Sequence, residues 1–200
     1  MKQLVLSGII AILLISCGPS TKIEKSWVEP GASVDLKGNM KTLIIGLVRD
    51  ETSRRVVEDQ IAKRLNGKGV PSYTVLSSEM LKDTTGAILS AKITEGNYTH
   101  LILMRLADIE KETSYVPGTT TGYYGGYGRY YGYGAGMYSS PGYYTEDKNY
   151  FVETTVYSIN PDKLLWTGTT KTVNPDKMEK TVNEIADAVS DKMKKDGFLK

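Results

Sequence analysis

Apolar runs separated by polar stretches predict five β-strands between residues 41 and 173. Residues 41–48 are apolar on both faces, as an inner strand of a sheet would be. Residues 70–77 form a second candidate, whose early proline favours an edge or entry position. Residues 101–111 form a third strand, and residues 148–159 and 164–173 read as the two strands of a hairpin.

Helical spacing of apolar residues fills the intervals between these strands. Val57, Ile61 and Leu65 recur every four residues after a hydroxyl residue, Thr52 or Ser53, that is suited to cap a helix. Residues 78–95 predict a weaker second helix, which we expect to follow a short turn at Asp83-Thr84. A third helix is expected to open at Asn174-Pro175 and to end at Gly197, with its stripe formed by Met178, Val182, Ile185, Val189 and Met193.

The element order is therefore β-α-β-α-β-(Gly/Tyr loop)-β-β-α. A mixed order that ends in a hairpin and a helix predicts an α/β class, with a single mixed sheet and the helices packed on it. We expect this domain to span residues 41–200, with residues 116–144 as a Gly/Tyr-rich flexible insertion.

The N-terminus has the features of a secretion signal. Lys2 precedes an apolar run from Leu4 to Ile15, which is short for a membrane-spanning helix and typical of a signal-peptide core. The chain then reads Leu14-Ile15-Ser16-Cys17, which resembles a bacterial lipobox, and Cys17 is the only cysteine. We therefore expect residues 1–16 to be a lipoprotein signal peptide and Cys17 to carry lipid. The alternative is an ordinary secretory signal or a buried N-terminal helix.

Residues 17–40 are polar with scattered glycine and proline, and they predict a tether with one docking point at Trp27. Acyl chains on Cys17 would hold the protein on a membrane. Resemblance to enteric lipoprotein signals, in which aspartate after the cysteine retains the protein at the inner membrane, makes Gly18 favour the outer membrane. We expect the domain to face the periplasm.

The amino-acid composition and the motifs of the chain argue against several classes of function. The formal net charge is +2 without a basic block, so nucleic-acid binding has no electrostatic support. No phosphate-binding glycine motif is present. Nucleophilic catalysis of the Ser-His or Cys-His kind needs a histidine or free thiol, and His100 is the only histidine. It reads best as a partly buried residue at a strand start. We therefore expect no enzyme activity, no cofactor and no metal.

Charged residues leave two smaller questions. Glu110, Glu112 and Glu153 raise the hypothesis of a glycosidase pair, although an ion pair between Glu153 and Arg105 or a solvent-facing edge is the simpler interpretation. A second set on the first helix reads as its solvated face; it comprises Arg54, Arg55, Glu58 and Asp59.

The Gly/Tyr segment is the most unusual part of the sequence. Ten of the chain's 14 tyrosines lie from Tyr115 to Tyr144. Tyrosine gives contact area at low entropic cost, whereas glycine makes the backbone costly to order. Three interpretations remain: an insertion without a partner, a contact surface for cell-wall glycan or envelope proteins, and self-association into a homo-oligomer. The candidate surface comprises Tyr123, Tyr124, Tyr127, Arg129, Tyr130, Tyr131, Tyr133 and Tyr138.

Several short motifs resemble, in order, those of small uncharacterised bacterial envelope lipoproteins with a Gly/aromatic insertion. They are Ser26-Trp27-x-x-Pro30, Leu43-Ile44-Ile45, Arg54-Arg55-x-x-Glu58-Asp59, Pro71-Ser72-Tyr73, Glu153-Thr154 and Leu164-Leu165-Trp166-Thr167-Gly168. More distantly, the element order is similar to that of the curli-secretion and Pel lipoproteins and the N-terminal domain of TolB. The resemblance makes a structural ion pair the second interpretation of the Arg54-Arg55-x-x-Glu58-Asp59 motif, and a binding patch the third. It implies a lipid-anchored protein with a structural or interaction role at the outer membrane. The alternative is an accessory subunit of an envelope export or assembly complex.

Overall fold

A computed structural model describes residues 21–36, 38–83, 85–116 and 143–200, and the strands of these residues form one mixed sheet. The strands are β1 (Thr21–Val28), β2 (Thr42–Leu47), β3 (Gly69–Pro71), β4 (His100–Val116), β5 (Tyr143–Ser158) and β6 (Lys163–Val173). Across the sheet their order is β1-β6-β5-β4-β2-β3. The pairs that β2 makes with β3 and β4 are parallel, and the other pairs are antiparallel.

The helices of the described residues cover both faces of this sheet. They are α1 (Glu51–Arg64), α2 (Ala87–Glu95) and α3 (Met178–Lys195). The β2-to-β3 and β3-to-β4 connections cross the sheet in opposite directions, and crossovers of one hand then place their helices on opposite faces. Accordingly α1 packs on the same side as α3, and α2 packs on the other. The predicted α/β class with one mixed sheet is confirmed.

The larger core lies between the sheet and helices α1 and α3. Trp166 of β6 is fully buried there, and its indole N–H donates to Asp196 Oδ2 at 3.2 Å. Gly168 is required beside it, because a Cβ at that position would lie 2.3 Å from the indole ring. The predicted stripe of α3 is buried from its second turn onward, at Val182, Ile185, Val189 and Met193.

The prediction that residues 17–40 form a tether is wrong, because part of this stretch is a strand of the sheet. Residues Thr21–Val28 form the edge strand β1, which pairs antiparallel with β6. Farther on, the Val34 N–H donates to Phe198 O at 2.7 Å, so this stretch also belongs to the domain. The alternation of apolar and polar residues does not reveal this strand, because a bulge between Ile23 and Lys25 interrupts the alternation of inward and outward side chains.

Three further local predictions need correction. The strand expected at 70–77 ends at Pro71 and is followed by a 3-10 helix at Ser72–Thr74. The helix expected within residues 78–95 is found at Ala87–Glu95, after the predicted turn region, and Met80–Lys82 form a separate 3-10 helix. The cap of α1 is Asp50, whose carboxylate accepts from Ser53 N at 2.7 Å, and α3 begins after Lys177 instead of Asn174.

Strands β4 and β5 are longer than predicted and extend beyond the rest of the sheet. The last β5–β6 pair is Asn149 with Val173, whereas β4 and β5 stay paired as far as Val116 and Tyr143. Residues 111–116 and 143–148 thus form a two-stranded ribbon, the β-arm. It leaves the domain at the carboxyl ends of β2, β4 and β6.

Candidate functional site

An apolar groove of about 380 Å³ lies at the carboxyl ends of the central strands, between the sheet and the first turns of α3. We call it the end groove. Its volume is within the usual range of small-molecule sites. Leu106 and Met178 on its wall are each 48% exposed. The wall consists of Val48, Val57, Met104, Arg105, Leu106, Tyr150, Val152, Thr172, Pro175, Asp176, Met178, Thr181, Val182 and Ile185.

The strand order places a topological switch point beside the end groove and not at it. The connections from β2 and β3 leave in opposite directions, so the switch point at which ligands of open α/β sheets bind lies between the carboxyl ends of β2 and β3, whereas the groove wall contains no residue of β3. This switch point is not suited to bind phosphate groups. The connection from β2 to α1 lacks a glycine-rich loop, and the helix N-terminus is occupied by the Asp50 carboxylate. The hydrogen bond from the Ser53 amide lowers the pKa of Asp50, so it stays anionic and repels phosphate.

Three polar side chains of the groove wall, Arg105, Thr172 and Asp176, have partners outside it. Arg105 reaches Glu153 at 2.6 Å, which confirms the predicted ion pair. The Thr172 hydroxyl lies 2.8 Å from the hydroxyl of Thr21 at the start of β1. The surface that the groove offers is therefore mainly hydrocarbon, with these polar groups at its margin.

The charged set on α1 divides into a buried pair and an exposed pair. Arg54 and Glu58 are 1% and 0% exposed, with Nε and Oε1 separated by 2.9 Å. Their prediction as a solvated helix face is wrong, and the structural ion pair is found instead. Arg55 and Asp59 do reach the surface, where they flank the side chain of Tyr73.

The buried pair connects α1 to two other segments. Glu58 Oε1 accepts from Gly46 N at 3.0 Å and from the Ser72 hydroxyl at 2.7 Å, and Oε2 accepts from Tyr73 N at 2.9 Å. Arg54 Nη2 donates to Ser72 Oγ at 2.7 Å and to the carbonyl oxygen of Leu76 at 2.9 Å. With these partners the pair acts as a structural cross-link between β2, α1 and the chain after β3. Sequence reasoning missed these partners.

Tyr73 lies above this cross-link at the protein surface. Its hydroxyl donates to Asp59 Oδ1 at 2.8 Å, and the Arg55 guanidinium lies 5.0 Å from the ring centroid. The hydrogen bond to Asp59 raises the pKa of Tyr73, so the phenol stays protonated and remains a donor.

The structure does not bring Glu153 and Glu112 together. Their register partners on the neighbouring strand are Arg105 and Asp147, so seven residues of strand separate them, or roughly 23 Å. A glycosidase pair needs carboxylates within about 10 Å of each other. Glu112 accepts a hydrogen bond from the Asn149 amide at 3.3 Å instead. The arrangement gives no support to a pairing of these two carboxylates.

His100 is half-buried at the start of β4, as predicted. Its Nδ1 lies 2.9 Å from the Thr99 hydroxyl, and burial lowers the pKa of the ring. It borders a second, mostly apolar cavity of about 90 Å³ inside the larger core. The buried hydroxyls of Thr42 and Thr154 face this cavity and have no hydrogen-bond partner in the described part of the chain.

Several predicted residues lie outside the described residues. They are the signal peptide 1–16, Cys17 and the Gly/Tyr candidates Tyr123, Tyr124, Tyr127, Arg129, Tyr130, Tyr131, Tyr133 and Tyr138. The structure fixes the two chain ends that flank the Gly/Tyr segment, because Val116 pairs with Tyr143. Whatever the segment contacts is therefore reached from the end of the β-arm.

The described residues contain neither a metal-ligand cluster nor a membrane-spanning helix. No three histidine, cysteine or acidic side chains in residues 21–36, 38–83, 85–116 and 143–200 come together as a metal site would require. Within the same ranges, no helix has the length and apolar character needed to cross a bilayer.

No protein-family model matches the chain, and no curated protein matches it. Matches exist among solved structures. A PelC dodecamer from Paraburkholderia phytofirmans aligns with a TM-score of 0.43 and 8% identity, over 85% of this chain and 95% of that chain. Lipoprotein GNA1162 from Neisseria meningitidis aligns with a TM-score of 0.39 and 10% identity, over 78% of this chain and 99% of that chain. The distant similarity to a Pel lipoprotein, predicted from the element order, is found at the level of the fold and assigns no function.

Proposed function

We propose that this chain is a non-catalytic, lipid-anchored envelope protein with a structural or interaction role at the periplasmic face of the outer membrane. The observation that carries this is the sequence Leu14-Ile15-Ser16-Cys17, which ends an apolar run of signal-peptide length at the chain's only cysteine. Cleavage before Cys17 and acylation there would leave only residues 18–20 between the lipid and strand β1.

An interaction role is supported by two surfaces. The end groove presents exposed hydrocarbon beside the chain start, and the β-arm carries the Gly/Tyr segment beyond the sheet. The described polar clusters, Arg54 with Glu58 and Arg105 with Glu153, serve as cross-links. The candidate contact residues of the segment are those from Tyr123 to Tyr138.

Lipid anchoring is tested by metabolic labelling with palmitate in the native bacterium. The wild-type protein should incorporate label and fractionate with the outer membrane, and globomycin should cause its precursor to accumulate. Cys17→Ala should lose the label. A Cys17→Ala protein that stays anchored, or an unlabelled wild-type protein, would contradict the proposal. Fractionation with the inner membrane would contradict only the assignment to the outer membrane.

The interaction role is tested by pulldown with the full chain and with a variant in which residues 118–141 are replaced by a short Asn-Gly turn. We expect the wild type to retain peptidoglycan or an envelope protein that the variant loses. Equal recovery by both proteins would remove the segment from the binding surface. Recovery of export or assembly components would favour the accessory-subunit alternative, and mass measurement in detergent would then give the oligomeric state.

A further inference from the structure

We propose that the end groove contacts the bilayer lipid of the leaflet that holds the Cys17 anchor. This inference rests on the proposed lipidation and adds to it an orientation of the domain. The side chains that would meet the lipid are Leu106, Ile109 and Met178, with Tyr150 and Val48 behind them.

The first step is the short distance between anchor and domain. Only Gly18, Pro19 and Ser20 separate Cys17 from Thr21. Whatever path these residues take, covalent geometry keeps the Cα atoms of Cys17 and Thr21 within about 14 Å of each other.

The second step is where the described chain begins. The Thr21 hydroxyl lies 2.8 Å from the Thr172 hydroxyl and also donates to Glu184 of α3 at 3.2 Å. Thr172 is part of the wall of the end groove. The anchor therefore enters the domain at the rim of this groove and holds the groove close to the bilayer.

The third step is the exposure of large apolar side chains at this rim. Leu106 and Met178 are each 48% exposed and Ile109 is 45% exposed, and Ile109 lies opposite the groove residue Tyr150 in the β4–β5 register. A neighbouring cluster of exposed apolar side chains is unfavourable in water and favourable in the bilayer interface.

The charged side chains of the groove wall indicate which part of the lipid the groove would contact. The two charged residues of the groove wall have partners of opposite sign, since Arg105 binds Glu153 and Asp176 lies 3.9 Å from Lys180. The contact we infer is thus made by hydrocarbon and does not depend on anionic headgroups. The β-arm carries the exposed Lys111–Glu146 ion pair, and the cost of burying charge in hydrocarbon favours a position of that ribbon in the aqueous part of the interface.

The experiment uses the lipidated full-length protein in vesicles of phosphatidylcholine. Acylated Cys17 has no free thiol, so one reporter cysteine can be labelled with an environment-sensitive fluorophore. Reporters at Met178→Cys and Leu106→Cys are compared with Asp162→Cys, an exposed position in the β5–β6 turn. Position 163 lies nine residues along β6 from Thr172, so the control is roughly 30 Å from the groove rim.

We expect lipids brominated near the headgroup to quench the labels at positions 106 and 178, in high as well as low salt, and to leave the label at 162 unquenched. With the reporter at Asp176→Cys, the added change Leu106→Asp should reduce the quenching while the protein still floats with the vesicles. The inference is supported only if the labels at 106 and 178 are quenched while that at 162 is not, and if Leu106→Asp also reduces the quenching at 176.

Other outcomes overturn the inference in distinguishable ways. Quenching that is absent or equal at positions 178 and 162, in a protein whose intact mass shows the acyl chains, refutes the lipid contact and leaves the proposed anchoring intact. Quenching between labels of different copies without lipid quenching assigns the groove to a second copy of the chain. A wild-type protein that lacks acyl chains and does not float refutes the proposed function itself.

Discussion

The buried ion pair between Arg54 and Glu58 allows the sharpest test of the fold. We expect Arg54→Met to lower the free energy of unfolding by about 3–5 kcal/mol, because removal of one partner leaves the other charge buried without compensation. The neighbouring Arg55→Met is a matched control on the same helix. Arg55 binds Glu51 with both side chains exposed, so its loss should cost about 1 kcal/mol or less.

A double variant distinguishes a cross-link from a simple pair. Replacing both members of a buried pair by apolar residues is often neutral when the pair bonds mainly to itself. Here Arg54→Met with Glu58→Leu would also leave Gly46 N, Tyr73 N and the Leu76 carbonyl oxygen without these partners. Each such group costs about 1–3 kcal/mol, so we expect the double variant to stay well below the wild type.

The assay is urea unfolding, followed by the fluorescence of the buried Trp166 and by circular dichroism. Glu58→Gln is the milder variant, to be used if Arg54→Met does not fold. A cost below about 1 kcal/mol for Arg54→Met would contradict the burial argument. A double variant as stable as the wild type would refute the cross-link. It would show that Gly46 N, Tyr73 N and the Leu76 carbonyl oxygen do not depend on hydrogen bonds to the charged pair.

Three smaller predictions concern single positions elsewhere in the domain. Gly69→Ala should destabilise by about 1–3 kcal/mol in thermal melts, because its Cβ would lie 2.8 Å from Ile44 Cδ1 and 2.9 Å from Ala62 Cα; an unchanged melting temperature would contradict this packing. The pKa of His100 is lowered from its ordinary value of 6.5, so the unfolded chain binds more protons and stability should fall as pH drops below about 6.5; His100→Gln should remove that part of the pH dependence, and an identical pH profile would refute it. Thr154→Val should leave stability unchanged or raise it by about 1 kcal/mol in urea melts, since its hydroxyl lacks a described partner, and a clear loss would reveal a bound molecule in the cavity.

Periodicity predicted the parts of the fold in which side-chain burial follows a regular spacing. The stripe of α3 was identified because Val182, Ile185 and Val189 all face the core. Strand β2 was identified because Leu43 and Ile45 are buried on one face of the sheet and Ile44 on the other. The Arg105–Glu153 pair was anticipated from a charge in the middle of a strand, and register places these residues directly opposite each other.

The parts that periodicity missed depend on contacts between distant residues. Arg54 and Glu58 have the composition of a solvated helix face, and their burial is explained by partners at Ser72 and Leu76, 18 and 22 residues after Arg54. The same contacts end β3 early, because Ser72 turns inward to meet them. The end groove also escaped notice, since Met178 continues the core stripe in sequence but lies beyond the sheet residues that would cover it.

Strand β1 changes what the proposed anchor would do. A tether over residues 17–40 would let the domain move freely above a membrane, whereas pairing of Thr21 with Thr172 confines it to about 14 Å from Cys17. The β-arm leaves from this same end, and its last pair lies six residues, or roughly 20 Å, beyond Asn149. If Cys17 carries lipid as proposed, the Gly/Tyr segment would start on the side of the domain that faces the anchoring leaflet. That position would favour a partner near the membrane, such as an envelope protein, over the more distant cell-wall glycan.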